Sequence, residues 1–194
     1  MTLPPYPEAA NPAPGELEVV RRFVNTLDLE KHEPEKLDRP EALARWLVDH
    51  RLTRARPKAG PADLRRAREV REALRRLLLA NNGGPVDDEA LATLNRAAAR
   101  ARVTPAFEDH ASWRIEPAAT GVDEGIGRLL AIVFRSMNEG TWPRLKACGE
   151  DSCQWAFFDK SKNRSGRWCA MAECGNRAKA RAYRERARAR PKPQ

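Results

Sequence analysis

Four cysteines constrain this chain more than any other feature. Cys148, Cys153, Cys169 and Cys174 form two C-x4-C pairs with fifteen residues between them. Two close pairs held apart by a loop are what a tetrahedral divalent ion needs, because each pair closes one side of the ion. A segment of about thirty residues buries too little apolar surface to fold unaided, and metal binding supplies the missing stability. Four thiolates leave no open coordination position, so the expected zinc, one per chain, is structural and not catalytic. Disulfides are the competing reading of the same residues; in a reducing compartment metal or catalysis takes precedence.

Cys169 and Cys174 stand five residues apart, about 140° around an ideal helix, so regular helical turns cannot aim both at one ion. A helix must therefore begin between them or near Cys174. Beyond that point "GNRAKARAYRERARAR" is rich in Ala and places Arg177, Arg181, Arg184 and Arg188 along one stripe. Residues 1–140 hold 22 Lys and Arg against 22 Asp and Glu, whereas residues 141–194 hold 14 against 5, so the whole net charge of +9 lies in the last quarter. The sequence describes a neutral domain carrying a basic module, whose first expected partner is nucleic acid and second an anionic membrane. Lys160, Lys162, Arg164 and Arg167, between the cysteine pairs, offer a second cationic surface. Trp155, Phe157, Phe158 and Trp168 are expected to pack around the metal, with base stacking as the alternative.

The rest of the chain reads as mainly α with a small β component. Residues 1–15 carry five prolines without periodicity and are expected to be disordered. Leu17, Val20, Val24 and Leu27 fall at helical spacing, as do Leu43, Trp46 and Leu47. Leu64, Ala67, Val70, Leu74, Leu77 and Leu78 form the inward stripe of a helix whose six arginines and three acids are expected to face solvent. "VDDEALATLNRAAARARV" predicts a further helix, "RVTPAF" and "WRIEP" a hairpin or small sheet, and Ile126, Leu129, Leu130, Val133, Phe134 and Met137 a core stripe. Gly and Pro in "NEGTWPRLKA", residues 138–147, mark a boundary. Three units result: a tail over 1–15, a helical domain over 16–140, and a cysteine module over 141–194.

Residues 144–188 resemble the CGNR zinc finger, named for the tetrapeptide Cys174-Gly175-Asn176-Arg177. "FVNTLDLE" and the helix around "VREALRRLLLA" resemble the ABATE domain that precedes it in proteins described as stress-induced transcription regulators. The resemblance spans about residues 16–190. It implies DNA binding by the finger, and a sensory or oligomerising role for the N-terminal domain. Cys174 matches the fourth ligand of the finger. Gly175 lets the backbone pass close to the metal or adopt an unusual dihedral. Asn176 either caps the helix by accepting from an amide or reads an adenine edge. Arg177, with Lys179, suits neutralisation of the thiolates, and Arg177 equally suits a phosphate.

These readings converge on a cytoplasmic, nucleoid-associated transcription regulator with DNA as partner, no membrane role and no catalytic residues. RNA binding and a zinc-stabilised protein-interaction module remain as alternatives. A lone basic helix binds weakly, so a homodimer on two half-sites is expected. Any small-molecule effector of the helical domain is unidentified. Catalysis has little to work with: His32, His50 and His110 lack metal-ligand spacing, and no nucleophile triad or phosphate-binding glycine loop occurs. His50, at a helix end, is expected on the surface.

Overall fold

Two long helices frame the molecule in this computed structural model, which describes residues 11–30 and 33–189. They are α3 (Pro61–Asn81) and α5 (Val122–Asn138). Between them pack α1 (Leu17–Val24), α2 (Pro40–Asp49) and α4 (Asp88–Ala101), each touching both. Local chemistry sets the helix starts. Pro61 takes the first position of α3, where its missing N–H has no partner to lose, and Asp63 accepts from Gly60 N–H at 2.8 Å. The Asp87 carboxylate caps α4 by accepting from Ala90 N–H at 2.8 Å.

α5 is buried on nearly every side, and two glycines permit its close approach. A Cβ on Gly125 would stand 2.7 Å from Leu47, and one on Gly127 would stand 2.5 Å from Pro117. The expected core stripe of α5 is narrower than the sequence suggested: Phe134 and Met137 are exposed, while Val133 and Ser136 of the same turn are buried. The expected hairpin is present as β1 (Val103–Phe107) and β2 (Trp113–Pro117), antiparallel, with Val103 opposite Pro117 and Phe107 opposite Trp113. β2 lies against α5.

After a single 3-10 turn at Trp142–Arg144, a second antiparallel pair forms from β3 (Leu145–Ala147) and β4 (Ala156–Phe158). Alternation sends Leu145, Ala147, Ala156 and Phe158 into the main core together with Trp142. A wide, π-type turn at Met171–Gly175 leads into α6 (Asn176–Ala189). The architecture is mainly α with two small sheets, ending in a helix that follows a cysteine cluster.

Several expectations need correction. Residues 11–15 are ordered: Asn11 carbonyl accepts from Phe158 N–H at 3.2 Å, and Ala13 is buried with its N–H donating to Glu18 at 2.9 Å. The remainder of the expected disordered tail, residues 1–10, lies outside the described residues, as does His32. Residues 138–147 are packed on α3, since Asn81 Nδ2 donates to the carbonyls of both Trp142 and Leu145. Two of the six α3 arginines, Arg71 and Arg75, are buried and not solvated. Arg75 donates to the carbonyls of Gln154, Val24 and Leu27, acceptors that no helix or sheet uses. His50 is buried too: its ring stacks on Trp46 at 4.0 Å and its Nδ1 donates to Trp46 carbonyl at 2.8 Å. Burial, the largest influence, lowers its pKa, so the ring is neutral.

Candidate metal centre and basic helix

The four cysteine sulfurs lie within 4.8 Å of one another. Cys153 and Cys169 Sγ are 3.7 Å apart, and Cys169 and Cys174 Sγ 3.6 Å. A tetrahedron of Zn–S bonds of about 2.3 Å has edges of about 3.8 Å, so the cluster already has the dimensions of a zinc site. All four cysteines are free thiols, three of them buried, and among the described residues no other donor shares the cluster. The site fits one zinc ion, held by four thiolates with no position left for water. Hydrogen bonds from Cys153 and Cys169 hold Cys148 well below the ordinary thiol range, and the bond to Cys148 pushes Cys153 and Cys169 up. A divalent ion reverses that opposition, because each thiolate gains a bond to the metal.

Backbone hydrogen bonds shape the knuckles. Cys148 N–H donates to Trp155 carbonyl at 2.9 Å, Gly149 N–H to Arg167 carbonyl at 2.9 Å, and Cys153 N–H to Glu150 carbonyl at 2.8 Å. Trp155 and Trp168 pack on the cysteines as expected. Phe158 does not; strand alternation turns it to the helical core, while Phe157 points the other way beside Lys146. Gly175 serves close approach and not an unusual dihedral: its φ is not positive, and a Cβ there would stand 2.4 Å from Met171 Sδ and 3.1 Å from Trp168.

The finger is fastened to the helical domain by polar side chains, of which Asn25 and Arg75 are buried and Asn82 half-buried. Asn25 pairs with the Ala156 backbone, Arg75 with Gln154 carbonyl, and Asn82 Nδ2 donates to the carbonyls of Ala147 and Arg167 at 2.8 and 2.9 Å. Lys146 Nζ is buried and donates to Asp159 at 2.7 Å and to the carbonyls of Arg164 and Gly166. Burial opposes ionisation of Asp159, but Lys146, Ser161 and Gly166 N–H outweigh it and bring its pKa down to about 2. A Cβ on Gly166 would enter this carboxylate at 2.7 Å, so the turn of the basic loop requires glycine there.

The structure divides the predicted basic residues into two groups. Arg177 Nη2 donates to Cys174 Sγ at 3.1 Å while its Nη1 pairs with Glu30. Glu30 first and Cys174 second raise its pKa, so it neutralises the cluster and does not project to solvent alone. Arg181 pairs with the buried Glu150, which likewise raises its pKa. Lys160, Lys162, Arg164, Lys179, Arg184 and Arg188 are exposed, and among the described residues none has an acidic partner. Arg167 is exposed, its guanidinium 5.9 Å from the Trp168 ring centroid. Asn176 lies in helical backbone and donates from Nδ2 to Ala172 carbonyl at 2.9 Å, which joins the π-type turn to α6. That contact uses the amide as a donor, whereas the sequence left open an acceptor cap or an adenine reader.

Sequence reasoning missed Asn25, Glu30, Arg75, Asn82, Lys146 and Glu150. Only Lys146 and Glu150 carried a signal, as charged residues flanking the first cysteine.

A groove of about 840 Å³ lies away from the finger, between α5, β2 and the start of α1. Val19, Trp113 and Ile115 supply apolar walls and Arg128 and Arg135 cross one side. Its charges balance locally: Arg128 pairs with Glu124 and Arg135 with Glu16. Among the described residues no helix is long and apolar enough to cross a membrane.

Residues 17–139 match the family model ABATE, described as "Putative stress-induced transcription regulator", and residues 144–187 match the CGNR zinc finger. No curated protein matches this chain. The first match covers more than half of the chain: the protein belongs to the ABATE family and carries a CGNR zinc finger after that domain.

Proposed function

We propose that this ABATE-family protein is a cytoplasmic, nucleoid-associated transcription regulator that binds DNA through α6 and the basic loop of its zinc finger. The observation that carries this reading is a cationic helix whose Lys179, Arg184 and Arg188 have no acidic partner among the described residues, started by a four-cysteine cluster sized for zinc. Its apolar content is Ala and Tyr183, too little to bury against a core, so a polyanion suits it better than a hydrophobic partner. Lys160, Lys162, Arg164 and Arg167 extend the cationic surface.

The helical domain acts in this reading as the sensor or the oligomerising unit, with the groove between α5 and β2 as the place for an effector. Support comes from its volume, which lies in the range of small-molecule sites, and from its mixed apolar and charged lining. No residue set in it resembles a catalytic site, and regulation, not catalysis, is the role assigned. Dimerisation would let two weakly binding helices act on two half-sites.

Fluorescence anisotropy of the zinc-loaded protein on duplex DNA, repeated after chelation, tests the reading. Binding that disappears with the metal supports it. Zinc-loaded protein that ignores DNA at low salt would assign α6 to an acidic protein partner instead.

A further inference from the structure

α6 presents different chemistry on its two sides. At about 100° per residue, Arg177, Arg181, Arg184 and Arg188 fall on one line. The first two are held against the body by Glu30 and Glu150. Ala178 and Ala182 are the half-buried positions of the helix, and Glu185 projects on their side. The opposite side carries Ala180, Tyr183 and Ala187, all exposed, with Tyr183 68% exposed. Arg184 and Arg188 border this strip along one edge, Lys179 and Arg186 along the other.

We infer that the Ala180–Tyr183–Ala187 strip, and not the full arginine line, is the surface that enters the major groove of B-form duplex DNA; this rests on the DNA-binding reading above. Small uncharged side chains in the middle of the strip let the helix axis approach the base edges. Alanine methyls suit the thymine methyl, and the Tyr183 hydroxyl can donate to or accept from a base edge. The two cationic rows stand where the phosphates of the two groove walls would lie, so charge is balanced on both sides of the helix at once. The dimensions agree. A helix with side chains is about 10–12 Å across and fourteen residues extend about 21 Å, against a B-DNA major groove about 12 Å wide. The deep, narrow major groove of A-form RNA excludes such a helix. Arg177, between Glu30 and Cys174 Sγ, ties the start of α6 to the knuckle.

Anisotropy of the zinc-loaded full chain on a short random-sequence DNA duplex, and on the RNA duplex of the same sequence, tests this across a salt series. Lys179→Gln with Arg186→Gln flattens the slope of log K against log salt by about 1.8, and Arg184→Gln with Arg188→Gln does the same. Arg181→Gln with Glu150→Gln removes both members of a pair and leaves the slope unchanged. Tyr183→Ala weakens DNA binding roughly fivefold or more at constant slope. One zinc per chain in every variant verifies that the knuckle is intact. A slope that responds to the Arg181 pair and ignores Lys179 and Arg186 overturns the face assignment while leaving DNA binding standing, as does RNA bound as tightly as DNA. A native protein that binds neither duplex removes the DNA reading and this face together.

Discussion

Asn25 and Ala156 exchange two hydrogen bonds across 131 residues of sequence: Asn25 Oδ1 accepts from Ala156 N–H at 2.8 Å, and its Nδ2 donates to Ala156 carbonyl at 2.9 Å. The side-chain amide thus does for β4 what a neighbouring strand would do, and ties the finger's hairpin to the end of α1. Both members are buried, so deleting the amide leaves Ala156 N–H without its side-chain acceptor and its carbonyl with only the 3.4 Å bond from Arg21 Nη1. Asn25→Ala is expected to lower the stability of the zinc-loaded protein by about 2–4 kcal/mol in urea unfolding. A loss under about 0.5 kcal/mol would mean that the pair does not fasten the hairpin.

The guanidinium of Arg177 touches Cys174 Sγ, where about two net negative charges accumulate once four thiolates surround a divalent ion. Arg177→Ala should weaken zinc binding about 10- to 100-fold, read by competition against a chromogenic chelator. Arg177→Lys should recover part of the charge effect but not the forked contact to Glu30 and Cys174. Unchanged zinc affinity would reduce Arg177 to a surface ion pair.

Glu18 offers a prediction in pH. Burial would raise its pKa, but hydrogen bonds from Arg21, its charge, Arg22 and Ala13 N–H prevail and lower it below the ordinary 4.5. A lowered carboxylate stabilises the fold fully above its unfolded pKa and loses that contribution as pH falls through the folded value. The stability difference between native protein and Glu18→Gln should therefore be constant above about pH 5 and shrink below it. Removal of the partner of a buried arginine sets the plateau at about 3 kcal/mol. A difference that grows towards low pH would reverse the assigned sign.

Metal removal should be felt far from the cysteines. Leu145, Ala147, Ala156 and Phe158 stand in the main core beside residues of α1, α3 and α5. Chelation is expected to lower the melting temperature of the whole chain, with one transition by far-UV circular dichroism and by tryptophan fluorescence. A helical domain that melts at the same temperature with and without zinc would show two independent units.

What was legible in the sequence is what local spacing encodes. Four ligands in two close pairs announce the cluster, a run of Ala and Arg announces α6, and the apolar period of α3 announces its buried face. Each is decided within a few residues. The partners of Arg177 and Arg181 are not, because Glu30 lies 147 residues from Arg177 along the chain and only the folded body brings it there. The direction of Phe158 depends on the phase of a three-residue strand, too short for alternation to declare itself. Arg71 and Arg75 resemble their solvated neighbours in sequence; carbonyls from α1 and from the finger make the burial of Arg75 tolerable, and Glu35 with the Thr26 hydroxyl does so for Arg71. The stretches "FVNTLDLE" and "VREALRRLLLA" contain Asn25, Glu30 and Arg75, which meet the finger, so much of what joins the two parts lies in the segments that carry the ABATE resemblance.

The central claim is that zinc holds a basic helix for duplex DNA, and the salt dependence of binding tests it most directly. Lys179, Arg184, Arg186 and Arg188, each neutralising one phosphate, predict a slope of log K against log salt of about −3.6 or steeper, with binding abolished by chelation. A slope shallower than about −1, or binding that survives zinc removal, would contradict the account.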